Sequence, residues 1–257
     1  MSTSFNGALC DIYIGTGAGK MLLNDIQNAE KSIKIVSPYL SPELIKCLID
    51  LHHKGIAIEL ITNDEIKDFI DAPKNIYELI KQHKTKDLES ELIRNKWIKY
   101  SNYLLITIIV SILSFFLLIF FYRELNILNG IFIIFLLLVL WKLLKNKIKN
   151  KRIYSYMYSQ LFPFKVYVSK IKNKNFGGIF LHSKIYIIDE KILYLGSLNF
   201  TYSGTTTNYE SRIRITDINV IKKTMYEFRD LFTNHNAPEL NIQRWGSETY
   251  KNTEQIN

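Results

Sequence analysis

Cysteine is nearly absent: Cys10 and Cys47 are the only two in 257 residues. Two thiols cannot make the disulfide framework of a small secreted domain and read as ordinary thiols of a reducing compartment. No secretory leader is expected from the start, because MSTSFNGALC has neither a basic stretch nor an apolar one. Ser2 excludes an N-myristoyl glycine, and the C-terminal TEQIN is no prenylation box. Internal repeats and low-complexity tracts are lacking. Acid is missing where base is dense: Lys142, Lys145, Lys147, Lys149, Lys151 and Arg152 share KLLKNKIKNKR with no Asp or Glu.

What is present, against an otherwise polar background, is a long apolar window from Tyr103 to Trp141, interrupted only by Arg123 and Glu124. Its first part, YLLITIIVSILSFFLLIFFY over 103–122, has no charge. As a helix it spans about 30 Å, the thickness of a bilayer's hydrocarbon core. Tyr103 and Tyr122 stand where interfacial aromatics are expected. A second run covers 125–141, and the short RELN between them predicts an antiparallel hairpin of two transmembrane helices. Both runs are apolar on every face, unlike the amphipathic helices of a soluble core. Arg94, Lys96, Lys99 and the 142–152 cluster flank the window, so the positive-inside rule puts the soluble part and both termini in the cytoplasm, at a bacterial inner membrane. Six of the nine net positive charges therefore have a membrane explanation rather than a nucleic-acid one.

Outside the window the pattern is that of an α/β protein. Asp11–Ile14, Ser32–Ser37 and Ile56–Thr62 read as strands, with helical spacing at Leu22, Leu23, Ile26, Ala29 and Ile33. Ser41-Pro42 opens a helix that runs to Gly55. Ile76, Leu79, Ile80 and His83 predict a further helix continuing toward the membrane through Leu88, Leu92 and Trp97. After the window, KVYVSK, GGIFLHSKIYIID, KILYLGS and ESRIRIT read as strands, and Asp217 caps a helix carrying Ile218, Ile221, Met225, Phe228, Leu231 and Phe232. GTGAGK (15–20) imitates a phosphate loop but has Ile14 where the first glycine belongs and Met21 in place of Ser or Thr, so it reads as a turn into a helix.

Chemistry concentrates in HSKIYIIDEKILYLGSLNFTYSGTTTNYES, from 182 to 211. His182 and Lys184, two apart on an expected strand, share a face, with Leu181, Ile185 and Ile187 toward the core. Lysine brings fixed positive charge, and neutral histidine a nucleophile or proton carrier near neutral pH, a pair suited to phosphate. Gly196 permits a tight turn, Ser197 and Asn199 offer donors to phosphate oxygens, and Glu210 opens the next strand. Lys170, Lys172 and Lys174 upstream either guide a phosphodiester backbone or form a solvated loop.

The sequence His182-x-Lys184, four residues, Asp189, six residues, Gly196-Ser197-x-Asn199 resembles the HKD motif of the phospholipase D superfamily at every position. Asn208 and Glu210 fall where that family's Asn-x-Glu usually follows, and LLNDIQNAEKSIKIVSPYLSPELIKCLIDLHHKGIAIELIT resembles its opening. The His52-x-Lys54 in that stretch is not a second motif, since Glu59 stands where Asp is required. The resemblance implies a phospholipase D-like mixed β-sheet flanked by helices, interrupted here by the hairpin. The expected divisions are an N-terminal half over 1–100, the hairpin over 101–144, a C-terminal half over 145–235 and a tail over 236–257. It also implies phosphodiester cleavage through a phosphohistidine, with no metal or other cofactor. One complete motif per chain implies a homodimer whose two His182 residues meet, one attacking phosphorus and the other protonating the leaving oxygen. By the same resemblance Lys184, Ser197 and Asn199 bind phosphate, Glu210 orients His182, and Asp189 and Gly196 are structural. Single-motif members resemble small bacterial endonucleases, so nucleic acid (DNA or RNA) is the expected substrate, with phospholipid headgroups the alternative.

Overall fold

The computed structural model describes residues 3–63, 79–121, 127–168, 181–233 and 241–250. Seven strands form one mixed sheet: β1 (Asp11–Thr16), β2 (Ser32–Val36), β3 (Ala57–Asn63), β6 (Phe164–Tyr167), β7 (Ile185–Ile188), β8 (Ile192–Gly196) and β9 (Tyr209–Ile215). Their order is β1-β9-β8-β7-β2-β3-β6. The β2-β3 and β3-β6 pairs are parallel and the others antiparallel. Two further strands, β4 (Ile80–Lys86) and β5 (Tyr154–Gln160), make a separate two-stranded sheet. The mixed α/β architecture expected from the sequence is thus observed.

Strand alternation sorts the core into two layers. Val36, Ile61, Ile187, Leu193 and Ile215 meet Val220, Ile221 and Phe228 of helix α6 (Ile218–Thr233) on one face. Leu181 joins that cluster, with Ile185 partly buried against it. Side chains of opposite parity, among them Ile35, Leu60, Tyr186 and Tyr194, are buried on the other face. Helix α1 (Lys20–Gln27) is tied to that face through Asp25. Tyr194 Oη donates to Asp25 Oδ2 at 2.5 Å, and Arg214 Nε donates to the same oxygen at 3.1 Å. Helix α2 (Pro42–His53) buries Leu44, Ile45, Leu48 and Ile49 along one stripe.

Several sequence expectations change. Ala29 and Ile33 do not extend α1, which stops at Gln27; Ile33 belongs to β2, where strand alternation buries it. Ile76 lies outside the described residues. Ile80–Lys86 is strand rather than helix, because the segment finds a ladder partner in β5. The long helix α3 (Leu88–Phe121) starts only after Asp87, whose carboxylate accepts from Ser90 N at 3.0 Å and Ser90 Oγ at 2.6 Å. The segment expected to be a tail contains helix α7 (Ile242–Thr249), capped by Asn241 and packed through buried Trp245 on Phe164. Its signal was a polar cap followed by one tryptophan, too little periodicity for a sequence reading.

The chain divides into two compact units, one of residues 1–82 with 158–251 and one centred on residues 83–157. The second holds α3 and α4 (Ile127–Asn150), which pack side by side; a Cβ on Gly130 would lie 2.1 Å from the Phe115 ring. Phe116, Leu117, Phe120 and Phe121 of α3 expose 60–79% of their surface, the reverse of a soluble core helix. Among the described residues, α3 alone is long and apolar enough to cross a membrane. A second span at 125–141 therefore rests on the sequence only.

The Asp25 linkage is part-buried, so removing its carboxylate strands two donors. Asp25→Ala is expected to destabilise the fold by on the order of 2 kcal/mol in thermal or denaturant unfolding, with Asp25→Asn milder.

Candidate active site

Sheet topology gathers the motif. Since β7 runs antiparallel to β8, and β8 to β9, the start of β7, the end of β8 and the start of β9 share one end of the sheet. The end of β2 is there, with Val36 opposite Ile185, and so is the end of β1, with Gly15 opposite Glu210. The motif residues occupy these termini: His182 and Lys184 before β7, Ser197 and Asn199 after β8, Glu210 at the start of β9.

The strand expected over GGIFLHSKIYIID is shorter. Residues 169–180, including Lys170, Lys172 and Lys174, lie outside the described residues, and 181–184 are irregular before β7 begins at Ile185. The β7 ladder ends at Ile185, while β8 keeps its β9 partner one step further, Ser197 N donating to Ser211 O, and Ser37 keeps β3, its N donating to Ile61 O. The shared face expected from alternation is replaced by direct contact. Lys184 Nζ lies 2.8 Å from the His182 carbonyl oxygen, 3.1 Å from Nδ1 and 3.4 Å from Nε2. An ammonium donates only to an unprotonated ring nitrogen. His182 is exposed and Lys184 is buried. Burial holds the Lys184 pKa below the ordinary lysine value, while nearby Glu210 works the other way.

Around this pair, Glu210 accepts from Ser197 Oγ and, at 3.3 Å, from Asn208 Nδ2. Ser197 Oγ in turn accepts from Ser211 N at 3.0 Å. Asn199 Oδ1 is buried without a hydrogen-bond partner among the described residues. An unmet buried polar atom is uncommon in a folded protein and calls for a ligand or an explanation. Imidazole, ammonium, hydroxyl and amide at one sheet end make a set able to surround a small tetrahedral anion. No three His, Cys, Asp or Glu side chains among the described residues group as metal ligands.

The loop carrying Ser197 and Asn199 is held by residues that sequence reasoning missed. Ser37 Oγ accepts from Phe200 N at 2.9 Å and donates to Tyr39 O at 2.7 Å. Tyr186 Oη donates to Leu198 O at 2.6 Å, and burial pushes its phenol far above the ordinary pKa, so it remains a donor. Ser41, read as a helix cap, makes no cap bond with its side chain; its Oγ instead accepts from Tyr202 N at 3.1 Å. Nothing in SPYLS announces these roles, because the bonds cross about 160 residues of sequence. Arg212, on the same β9 face as Glu210, is buried with its guanidinium 5.4 Å from the Tyr13 ring centre and 5.8 Å from that of Tyr194.

Asp189 lies at the opposite end of β7 from His182. Its carboxylate accepts from Glu30 N, Lys31 N and Ser32 N at 2.9, 2.7 and 2.9 Å, fixing the start of β2. Burial works to raise its pKa, but these three donors prevail and hold it below the ordinary carboxylate value. Gly196 has φ +152°, and a Cβ there would lie 2.2 Å from Ser211 O.

A family model described as cardiolipin synthase, phospholipase D-like domain, matches residues 22–232. Solved structures with a similar fold include NucT from Helicobacter pylori, at 14% identity and TM-score 0.46 over 91% of this chain and 100% of that one. Nuc from Salmonella typhimurium, a phospholipase D family member, aligns at 13% identity and TM-score 0.44 over 91% of this chain and 99% of its own. Phosphatidylserine synthase from Haemophilus influenzae aligns at 13% and 0.41, with 90% of this chain covering 40% of that one. The search of curated proteins returned no match.

Two outcomes are expected. Asp189→Ala lowers Tm at pH 7; because a depressed folded pKa adds stability above the unfolded value near 4 and loses it as pH falls through the lower folded value, the gap from wild type narrows progressively as the pH drops below about 4. Gly196→Ala forces the Ser197 loop away from Ser211, and a calorimetric scan will show a loss above about 2 kcal/mol.

Proposed function

The chain belongs to the phospholipase D-like family, whose members are phosphodiesterases, and on that premise we propose that it is a membrane-anchored, metal-independent endonuclease. The observation that carries the phosphodiesterase chemistry is the convergence of His182, Lys184, Ser197, Asn199 and Glu210 at one end of the sheet. In the proposed reaction a ring nitrogen of His182 attacks phosphorus, the P–O ester bond breaks, and His182 of a second copy of the chain protonates the departing oxygen. Water then cleaves the phosphohistidine, its proton returning to that second histidine. Lys184, Ser197 and Asn199 hold the non-bridging oxygens as negative charge grows. Glu210 orients His182 in this scheme. A single complete motif per chain supports the shared homodimeric site and, with it, the nuclease reading.

The membrane part of the proposal is a hairpin of α3 and α4, spanning about residues 103–122 and 125–141 and inserted between the two halves of the catalytic fold. Support comes from the outward-facing apolar surface of α3 and the cations flanking the window, which favour a cytoplasmic catalytic part. The same anchor supports a second reading, cleavage or transfer of phospholipid headgroups, and the description of the matching family points that way.

One assay separates the readings. Detergent-purified protein is given DNA, RNA, phosphatidylglycerol and cardiolipin side by side in excess EDTA. Nucleic acid should be cut, and His182→Ala should slow cutting on the order of 10³-fold or more. Turnover of phosphatidyl substrates alone would establish the lipid reading, and a strict requirement for a divalent ion would sink the phosphohistidine mechanism. Chemical crosslinking of the active protein should trap a dimer; activity in a strictly monomeric species would refute the shared site.

A further inference from the structure

The base of the helix pair holds a groove of about 790 Å³ that the catalytic proposal does not use. Its walls are Trp97 and Leu104 of α3 with Leu140 and Leu144 of α4, and its rim carries Lys147 and Lys151. Leu104 lies just inside the first apolar run and Leu140 at the end of the second. Lys147 is six residues past Trp141, about 9 Å of helix. The polar headgroup layer is about 5–8 Å thick per leaflet, so the lysine ammonium reaches the depth of lipid phosphates. Both lysines belong to the acid-free segment 142–152, which adds four more cations.

We infer that this groove seats one anionic phospholipid of the bilayer, an acyl chain on the walls at Leu104 and Leu140 and the headgroup among Trp97, Lys147 and Lys151. Charge complementarity selects the occupant. A nucleic-acid strand would meet the lysines and leave the apolar floor unused. An apolar protein helix would fill the floor and leave Lys147 without a counter-charge, whereas Lys151 has Asp87 nearby. An anionic diacyl lipid uses both, as basic sites between membrane helices do. The inference rests on the proposed membrane anchoring and concerns a site separate from His182, where the lipid is bound and not turned over.

The test is native mass spectrometry of the full chain in detergent, titrated with phosphatidylglycerol and with phosphatidylcholine. The expected result is one retained phosphatidylglycerol per chain at concentrations where phosphatidylcholine leaves none. Lys147→Gln with Lys151→Gln should weaken that retention about 30-fold, at about 5-fold per lysine. Leu144→Trp, which fills the groove, should abolish it with the far-ultraviolet circular dichroism unchanged; if that variant misfolds, the lysine pair decides. Nuclease turnover in detergent should be the same in the lysine variant as in wild type. Equal retention of the two lipids, or full retention in the lysine variant, overturns the inference. So does displacement of the lipid by a DNA oligonucleotide, which assigns the lysines to nucleic acid. His182→Ala should retain phosphatidylglycerol. Its loss there would move the lipid to the catalytic residues and overturn the inference, whereas failure of nuclease activity with lipid still bound would touch only the proposed function.

Discussion

Close backbone contact between the end of β8 and the start of β9 governs this molecule. Gly196 closes β8 with a positive φ against Ser211 O, with no room for a side chain. That turn sends Ser197 toward Glu210 and starts the loop that Ser37, Ser41 and Tyr186 then hold at three backbone positions. Each holder sits at the same end of the sheet or just beyond it, so the antiparallel arrangement of β7, β8 and β9 and the end of β2 act as one scaffold. A loop pinned this way gives Ser197 and Asn199 fixed positions, the condition for polar groups to stabilise charge without reorganising.

The motif divides its labour along β7. At one end Lys184 is buried beside His182, where desolvation strengthens whatever electrostatic interaction it makes. At the other end Asp189 satisfies three backbone N–H groups at the start of β2 and thereby sets where that strand begins. A register error in β2 would move Ser37, and with it the loop that carries Asn199. A residue placed at the far end of β7 thus supports the His182 end through the length of two strands.

The helical unit distributes its apolar residues differently from the sheet. Large side chains of α3 face outward and its charges are confined to the first turns, an arrangement that water would penalise and a bilayer favours. The lysines of α4 gather beyond its apolar stretch, the distribution that the proposed anchoring calls for. In the proposed function this unit decides where the chemistry occurs, without altering the groups that perform it.

Much was legible in the sequence because the signals are local. Two-residue alternation marked most strands of the large sheet, the 3.6-residue spacing marked α2 and α6, and the motif spacing singled out His182, Lys184, Ser197, Asn199 and Glu210, though not Ser37, Ser41, Tyr186 or Arg212 beside them. Short segments misled. Ile80–Lys86 reads as helix until β5, at Tyr154–Gln160, supplies a ladder partner. His182 and Lys184 read as strand, but the β7 ladder ends at Ile185. Asn241 and Trp245 carry too little periodicity to announce α7. By itself the sequence determined the residue types, their spacing and the apolar span, since composition and periodicity are properties of the chain alone. Only the tertiary structure decided the partners of Ser37, Ser41, Tyr186 and Asp189 and the direct contact of Lys184 with His182. Those depend on strand order, which brings together groups the chain keeps far apart.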